Sequence, residues 1–354
     1  MGTAAIAIDV SHRVRSALLA SVVLVWQTAP LAASAADPLS PTSIFAPVST
    51  PADAIFEVSL LVLAVSAAIF VTVFGLLVYA VLRFGRHAND DGSEPPQVFG
   101  SYEVELAWTI VPVLIVVALF LASARVIASV QNPAKPAGAL DVVVIAHQYW
   151  WEYRYPKLDV VTANELHVPV SDRTHPTPTF LTLFSADTDH SFWVPRLAGK
   201  TDLIPNHPNS MWIDPHETGL YLGQCAVYCG TQHGKMLLRV YVDSREDFDR
   251  WIEAQRQPAR VDAAVARGRQ VFETTACVNC HAVDGIGADG RFGPDLTHFM
   301  SRDTIASGAA PNTPEKLRLW LRNPDALKPG SGMPAMRLSD EDVDAVANYL
   351  ESLR

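Results

Sequence analysis

Four residues with metal-binding side chains stand close together between residues 225 and 236. They supply two thiols, an imidazole and a thioether, at Cys225, Cys229, His233 and Met236. This soft ligand set suits copper, whereas a thioether suits zinc poorly. Strand-like runs flank the segment and glycines interrupt it, which favours a loop between two strands over a helix. A zinc site and a reducible disulfide are the alternatives.

We expect one further ligand to come from another part of the chain. The candidate is His190, in the run Asp-Thr-Asp-His-Ser-Phe-Trp-Val-Pro, and the pattern predicts that it ends a strand and precedes a turn. The other histidines of this region, at positions 175, 207 and 216, are expected to be ordinary surface or core residues.

A second cluster, Cys277-Val-Asn-Cys280-His281, has the spacing of a c-type haem attachment motif. In such a motif the two thiols bond to the porphyrin and the adjacent histidine reaches the iron. The segment that begins at Gly293 would place the Pro294 carbonyl to accept a hydrogen bond from the ring of His281, which orients that ligand. A zinc site or a redox-active cysteine pair is the alternative.

The sixth ligand of such a haem is expected to be a methionine near the C-terminus, because a His/Met pair is a common axial set in c-type cytochromes. Met333 is favoured, since the run Lys-Pro-Gly-Ser-Gly-Met precedes the last predicted helix. Met336 is then expected to pack in the core, the ordinary place of a methionine. Met300 is the third candidate.

Composition excludes several classes of protein. The chain has 354 residues, of which 49% are hydrophobic and 18% are charged, and its formal net charge is -10. A nucleic-acid-binding surface is basic, so the acidic balance argues against that function. The four cysteines form two local pairs, which is not the pattern of a disulfide scaffold.

The N-terminal third has the pattern of an exported membrane protein. Residues 1–36 combine basic residues, a short apolar run and small residues, the layout of a signal peptide. Apolar runs at about 58–82 and 106–128 can each cross a bilayer and predict a transmembrane hairpin over 50–130. Arg83, Arg86 and His87 favour a cytoplasmic loop. We therefore expect a multi-pass protein of the cytoplasmic membrane, with residues after 130 outside.

The remainder changes composition twice. Residues 139–243 contain short β-branched and aromatic runs separated by turn residues, which predicts an all-β sandwich. Residues 244–261 read as a helix, capped by Ser244, and a linker. Residues 262–354 carry three helical patterns around the haem motif, with Pro314 in the first turn of one and Ser339 as the cap of another. The fold class is thus a two-helix hairpin, a sandwich and an all-α domain.

Over roughly residues 50–250 the sequence resembles subunit 2 of the haem–copper cytochrome c oxidases. The resemblance is carried by the hairpin, by the run Glu-Val-Glu-Leu-Ala-Trp-Thr-Ile-Val-Pro at 103–112, by His-Gln-Tyr-Trp-Trp-Glu-Tyr at 147–153, by His-Ser-Phe-Trp-Val-Pro at 190–195 and by the cysteine loop. The C-terminal haem motif makes the chain similar to the caa-type oxidases, which carry a fused class I cytochrome c.

The resemblance implies a cupredoxin fold for the sandwich and a dinuclear copper centre, CuA, in its cysteine loop. Cys225 and Cys229 would bridge two copper ions, and His190 and His233 would each bind one. Met236 would be a weak ligand, and the backbone carbonyl of Val227 would complete the set. Glu105 would be the mouth of a proton path into subunit 1, although a carboxylate at the edge of a span is more commonly a solvated helix cap.

Two positions depart from the commonest pattern of that family. Val227 stands where a glutamate usually contributes to an interfacial magnesium site, and a valine side chain has no oxygen for magnesium. Tyr149 stands where a tryptophan usually receives electrons. Trp150 and Trp151 follow directly, so an aromatic route through these three residues remains the expectation.

The resemblance implies the electron-input subunit of a respiratory cytochrome c oxidase. Electrons would pass from a soluble cytochrome c or a similar donor, through one covalently bound haem c and two copper ions, to the haem–copper site of subunit 1. Oxygen is reduced to water there, coupled to proton translocation. Subunit 1 and subunit 3 are the expected membrane partners. A copper-bearing nitric oxide reductase subunit is the alternative, and a free-standing electron-transfer or copper-delivery protein is a third possibility.

Overall fold

The structure is a computed structural model that describes residues 42–85, 94, 97–131, 133–259 and 263–354. The predicted signal peptide, residues 1–36, and the loop residues Arg86 and His87 lie outside the described residues. The chain divides into two compact units, one within residues 57–125 and the other within residues 42–56 and 126–354.

Two long helices carry the apolar runs of the N-terminal third. Helix α1 spans Thr50–Arg83 and helix α2 spans Tyr102–Gln131, with mean hydropathies of 2.8 and 2.6 in their most apolar windows. At 1.5 Å per residue, each is longer than the hydrocarbon core of a bilayer, which is about 30 Å thick. In the part of the chain that the structure describes, these are the two helices long and apolar enough to cross a membrane.

The segment from 140 to 243 forms a β-sandwich of two five-stranded sheets. The strands are β1 (Leu140–His147), β2 (Trp150–Tyr155), β3 (Val160–Ala163), β4 (Glu165–Pro169), β5 (Thr179–Ser185), β6 (His190–Trp193), β7 (Thr201–Leu203), β8 (Asn209–Ile213), β9 (Gly219–Cys225) and β10 (Leu237–Asp243). One sheet has the order β3-β2-β1-β5-β8 and the other has the order β4-β10-β9-β6-β7.

Alternation of side chains explains how the two sheets bury their inner faces. In β1 every second residue is buried, starting at Val142, and in β10 every second residue is buried, starting at Leu238. The inner faces enclose a core that includes Trp151, Tyr153, Leu166 and Phe192. The predicted sandwich is therefore present.

A helix after the last strand completes the sandwich. Helix α3 spans Arg245–Gln255, and the Ser244 hydroxyl accepts a hydrogen bond from the Asp247 N–H, as the capping pattern predicts. Phe248 and Ile252 are buried in the core of the sandwich. The helix is therefore part of that fold.

The C-terminal segment forms a small helical domain. Its helices are α4 (Ala266–Thr274), α5 (Cys277–Cys280), α6 (Pro314–Arg322) and α7 (Asp340–Ser352). Short 3-10 turns lie at Ala263–Val265, Phe299–Ser301 and Pro324–Ala326, and two-residue strands pair Ala282–Val283 with Ala288–Asp289 and Thr304–Ile305 with Ala310–Pro311. Helices α4 and α7 cross at Gly268, where an added Cβ would lie only 2.0 Å from the carbonyl oxygen of Ala345.

The helix starts predicted for this domain are confirmed. Ser339 caps α7 by accepting a hydrogen bond from the Asp342 N–H, and Pro314 stands in the first turn of α6. The hydroxyl of Thr313 caps α6, a role that the sequence analysis did not assign.

The prediction that His190 ends a strand was wrong. His190 is the first residue of β6. The preceding strand, β5, ends at Ser185, whose hydroxyl accepts a hydrogen bond from the Asp187 N–H, and the Asp187 carboxylate accepts one from the Thr188 N–H. Serine and aspartate side chains that bond to nearby backbone groups favour a turn, so the turn precedes His190.

The sandwich and the helical domain belong to the same compact unit and share buried polar contacts. The Glu165 side chain, which belongs to β4 and is 2% exposed, accepts hydrogen bonds from the backbone N–H groups of Asp303 and Thr304, at 3.0 and 2.9 Å. A buried carboxylate is costly unless it is satisfied in this way. These bonds therefore join the two domains at a defined position.

Candidate metal and haem sites

The residues from 226 to 236 form the predicted loop between strands β9 and β10. The Sγ atoms of Cys225 and Cys229 lie 3.9 Å apart, and both side chains are buried. The His190 Nδ1 atom lies 3.8 Å from Cys225 Sγ, and the His233 Nδ1 atom lies 3.7 Å from Cys229 Sγ. Two sulfurs at the centre thus have one imidazole on each side.

Two further donor atoms reach the same centre. The Met236 Sδ atom lies 3.9 Å from Cys229 Sγ, and the carbonyl oxygen of Val227 lies 3.2 Å from Cys225 Sγ. The Val227 side chain is a hydrocarbon and offers no ligand. All six groups that the sequence analysis named for this site therefore converge, although they come from two separate parts of the chain.

A carboxylate holds the histidine that comes from β6. The His190 ring is fully buried, and its Nε2 atom lies 2.9 Å from the Asp187 carboxylate while Nδ1 faces the thiol. A carboxylate on the distal nitrogen fixes the tautomer and the orientation of a metal-binding histidine. Burial opposes the charge on His190, but the hydrogen bonds to Asp187 and Cys225 raise its pKa above the ordinary value.

The two thiols differ strongly in acidity. Burial alone would raise the pKa of Cys225, but the hydrogen bond with His190 and others lower it to about 6. Burial and the neighbouring charge of Cys225 raise the pKa of Cys229 to about 12. Loss of the proton from one thiol therefore opposes its loss from the other, and a cation between the sulfurs would stabilise both thiolates.

The donor set fits copper. Two thiolates, two imidazoles, a thioether and a carbonyl are mostly soft or borderline donors, which favour copper over magnesium or calcium. Ligand atoms of His190, Cys225 and Cys229 lie within 4.8 Å of one another. Because both sulfurs have a second donor on the outer side, the arrangement suits two ions that share the thiolates.

The three aromatic residues proposed for electron input occupy different environments. Trp151 is fully buried and lies with its ring 6.1 Å from that of His190. Trp150 stacks on His147, with ring centroids 4.1 Å apart. The Tyr149 hydroxyl accepts a hydrogen bond from the N–H of Thr231 in the copper loop, at 3.1 Å. Tyr149 and Trp150 also line a cavity against the helical domain.

The haem attachment motif forms the short helix α5. His281 follows the helix directly, and its Nδ1 atom lies 2.8 Å from the carbonyl oxygen of Pro294, which leaves Nε2 for another partner. Burial lowers the pKa of His281, which favours the neutral ring that a metal requires. An added Cβ on Gly293 would lie 2.5 Å from the His281 ring, so only glycine allows this approach.

A largely apolar cavity opens beside this motif and fits a haem. Cys277, Cys280 and His281 line it, and so do Met333 and Met336. The buried guanidinium of Arg302 also belongs to the wall, and its Nε atom has no hydrogen-bond partner among the described residues. A haem propionate is the kind of anion that would satisfy it.

The packing of Met333 and Met336 differs from the expectation. Met333 packs against the core of the helical domain, whereas Met336 is half-buried and lies in the cavity wall without belonging to that core. The expectation that Met336 packs in the core was therefore wrong. In the run from residue 334 to 338, Pro334 and Met336 line the cavity, whereas Leu338 packs against the core. Met300 packs against the core and is not among the cavity residues.

Sequence analysis missed several residues that support these sites. Asp187 and Gln148 both contact the copper site. The Asp187 carboxylate bonds to the ring of His190, and the Gln148 side chain donates a hydrogen bond to the carbonyl of Cys229 at 2.6 Å. Lys328 is buried in the cavity wall, where burial lowers its pKa to about 7. The resemblance covered Gln148 as part of an aromatic run, but nothing in the sequence indicated which groups it contacts.

Comparison with known proteins matches each part of the chain. The family model for the cytochrome c oxidase subunit II transmembrane domain matches residues 43–126, that for its periplasmic domain matches residues 162–242, and that for cytochrome c matches residues 265–354. Cytochrome c oxidase subunit 2 of Alkalihalophilus pseudofirmus is 32% identical over 307 residues, which cover 85% of this chain and 87% of the relative. The chain belongs to the cytochrome c oxidase subunit 2 family.

A second relative in this family extends over most of the chain too. Cytochrome c oxidase subunit 2 of Bacillus sp. strain PS3 is 31% identical over 77% of this chain and 80% of its own length. Among solved structures, the periplasmic domain of subunit II of cytochrome oxidase from Bradyrhizobium japonicum is 26% identical, covers 34% of this chain and 96% of its own, and has a TM-score of 0.32.

Membership confirms the predicted fold class and the general function. The chain is an electron-input subunit of a respiratory oxidase, with a transmembrane part and a domain outside the membrane. The subunit II domain implies CuA copper and the cytochrome c domain implies haem.

Glu105 lies in the first turn of α2, where a carboxylate also stabilises the positive end of the helix dipole.

Proposed function

We propose that each chain binds two copper ions and one covalently attached haem c. Cys225 and Cys229 would hold both coppers, His190 and His233 would each bind one, and Met236 and the Val227 carbonyl would complete the set. Cys277 and Cys280 would attach the haem, His281 and Met333 would bind its iron, and Pro294 would orient His281. The support is the convergence of each donor set in the structure, at the distances given above.

The two cofactors would supply one-electron chemistry. Electrons from a soluble cytochrome c or a similar donor would reach the haem–copper site of subunit 1 through them. The chain's own residues hold both cofactors in place and exclude water from them. His190, both bridging cysteines and Met236 are buried, and burial limits the rearrangement of solvent when charge changes. Subunit 1, and with it subunit 3, would be the membrane partners, and the complex would reduce oxygen to water and translocate protons.

One further observation supports electron transfer between the two sites. The segment from Gln148 to Trp151 contacts both candidate sites: Tyr149 and Trp150 line the haem cavity, and Tyr149 and Trp151 touch the copper loop and a copper ligand. A short covalent segment therefore joins the two sites. We infer that Tyr149, Trp150 and Trp151 form the electron-input side of the copper centre.

We further propose that the protein is a multi-pass protein of the cytoplasmic membrane, with both cofactor domains on the extracytoplasmic side. Helices α1 and α2 then form a hairpin whose connecting loop faces the cytoplasm, next to Arg83. Glu105 stands at the start of α2 beside that loop, the side from which protons are taken up. It would bring protons to subunit 1.

Two matched variants test the cofactor assignment. Cys225→Ser should abolish the mixed-valence electron paramagnetic resonance signal of the copper pair, because one bridging sulfur is lost, while haem attachment remains. Cys280→Ser should leave the copper signal and reduce covalent haem. A Cys225→Ser enzyme that keeps the mixed-valence signal would show that the copper assignment is wrong.

A separate variant tests the proton role. Glu105→Gln keeps the size of the side chain but cannot carry a proton. Reduction of the copper and haem c should stay fast while steady-state oxygen consumption falls. Glu103→Gln, two residues away on the same helix turn, is the control and should not slow turnover. Unchanged turnover in Glu105→Gln would return Glu105 to the role of a solvated helix cap.

A further inference from the structure

The loop that carries copper ligands and the segment that precedes Met333 are in direct contact. The segment runs from Leu327 to Gly332, between the end of the 3-10 turn at Pro324–Ala326 and Met333. We call it the haem-ligand segment. It has no helix or strand of its own, so its position depends on the groups that bond to it.

Side chains of the copper loop hold two backbone carbonyls of this segment. The Gln232 side chain donates a hydrogen bond to the carbonyl of Pro329, and the Lys235 ammonium donates one to the carbonyl of Leu327 at 2.9 Å. Gln232 is buried and directly precedes His233, while Lys235 directly precedes Met236. The two donors therefore stand next to two proposed copper ligands.

A third bond runs in the opposite direction. Lys328, which is 3% exposed, donates to the carbonyl of Tyr149 in the sandwich at 2.7 Å and to the carbonyl of Ala306 in its own domain at 3.0 Å. Successive residues 327, 328 and 329 are thus all bonded to the sandwich. Nearby, Leu237 and Ser307 exchange two hydrogen bonds of 3.3 Å between their backbone and hydroxyl groups.

We infer that Gln232 and Lys235 are positioning residues for the haem: through the haem-ligand segment they hold Met333 against the iron, so that the order of the copper loop sets the strength of the methionine bond. The inference rests on the proposed function, because it takes Met333 as the sixth ligand and the loop as a copper site. Copper bound by the loop residues would fix the conformation of the copper loop. The hydrogen bonds to the carbonyls of Leu327 and Pro329 would then fix the haem-ligand segment as well.

Coupling of this kind is reciprocal. If copper in the loop strengthens the bond between Met333 and iron by some factor, displacement of Met333 must weaken copper binding by the same factor. A single hydrogen bond of ordinary strength contributes enough to change such an equilibrium about threefold to tenfold. The effect should therefore be measurable without any change in which ligands are bound.

Imidazole is a suitable probe, because it competes with a methionine for ferric iron. Its affinity for the oxidised haem c of the full-length chain in the assembled enzyme reports how easily Met333 leaves. We expect the oxidised haem c of the Gln232→Leu enzyme to bind imidazole about threefold to tenfold more tightly than that of the wild type. Lys235→Met, at an exposed position where folding is not at risk, should change the affinity in the same direction.

Gln255→Leu is the matched control. The Gln255 side chain also donates across the two domains, to the Ser301 hydroxyl at 3.2 Å, but it touches neither the copper loop nor the haem-ligand segment. Its imidazole affinity should stay within about twofold of wild type. A change as large as that of Gln232→Leu would mean that loosening the domain contact anywhere suffices, and would overturn the inference.

Copper removal supplies the decisive comparison. Wild-type enzyme from copper-depleted cells should bind imidazole more tightly than the copper-loaded enzyme, and this difference should shrink in Gln232→Leu. Equal affinities in loaded and depleted wild-type enzyme would overturn the inference while leaving the cofactor assignment intact. A wild-type haem without a methionine ligand, or a loop without copper, would instead overturn the proposed function, and the inference with it.

Discussion

Met333 and Met336 lie in the wall of the same cavity, with two residues between them in the sequence. Met333 directly follows the segment whose backbone is bonded to the sandwich, and on this ground we propose it as the ligand of the iron. Met336 follows Pro334, after the bonded segment has ended.

Substitution separates the two methionines. Met333→Ala should leave the haem attached, because attachment depends on Cys277 and Cys280, but should convert the iron to high spin or to a substitute ligand. Met336→Ala is the control and should keep the low-spin spectrum. Optical and paramagnetic resonance spectra of the oxidised haem distinguish these outcomes. A spin change in Met336→Ala alone would mean that Met336 is the ligand.

The backbone carbonyl and the side chain of Val227 affect metal binding in different ways. Its carbonyl points toward the Cys225 thiol at 3.2 Å, and any residue can supply a carbonyl. Its side chain has no oxygen, and magnesium requires oxygen ligands. The copper site can therefore be normal while a neighbouring magnesium site at the interface with subunit 1 is weakened or lost.

Manganese tests this expectation, since it accepts similar ligands and is paramagnetic. Enzyme from cells grown in excess manganese should hold little tightly bound manganese, and Val227→Glu should increase it. Val227→Leu, which also lacks an oxygen, is the control and should behave like wild type. One tightly bound manganese per wild-type complex would contradict the expectation and would show that another residue supplies the oxygen.

At the scale of elements, helix α3 is required by the sandwich although it follows the last strand. Phe248 and Ile252 are buried in the sandwich core, and the Arg256 side chain, at the end of the helix, donates a hydrogen bond to the carbonyl of Leu158 at 2.7 Å. A fragment of residues 133–258 contains the strands, this helix and all proposed copper ligands. We expect it to fold alone and to take up two coppers.

Within that fragment, Phe248→Ala should lower the free energy of unfolding by about 3–5 kcal/mol, the usual cost of removing a buried aromatic ring. Glu253→Ala, at an exposed position of the same helix, is the control and should change it by less than about 0.5 kcal/mol. Denaturant titration measures both. Equal stability of the two variants would mean that α3 is not part of the fold.

Local patterns predicted the elements where a single segment determines its own structure. The Ser244 and Ser339 caps, the alternating strands β1 and β10 and the copper loop follow from neighbouring residues. The turn before β6 was misassigned, because its polar residues can either follow a strand or precede one. Which of the two occurs depends on the pairing of β6 with β7 and β9, which lie later in the sequence.

At the scale of the whole molecule, the contacts between the two cofactor domains were beyond sequence analysis. Glu165 and Lys328 are charged residues of an ordinary kind, and their burial results from the docking of two surfaces that are distant in the chain. The ligand residues could be predicted because ligand chemistry restricts residue type and spacing. The supporting residues could not, because a glutamine or lysine that bonds to a backbone carbonyl leaves no pattern.

The contact between the two domains fixes the candidate haem and copper sites next to each other in one chain. The segment from Gln148 to Trp151 contacts both. Electron transfer between them therefore needs no encounter between separate proteins, and its rate should not depend on protein concentration.

Time-resolved optical spectroscopy of the assembled enzyme, after photoreduction of its haem c, tests this claim most directly. The haem band should reoxidise while the copper band is lost, with one first-order rate that stays constant when the protein is diluted tenfold. A rate that falls in proportion to the protein concentration, or copper that becomes reduced while the haem band is unchanged, would contradict the account.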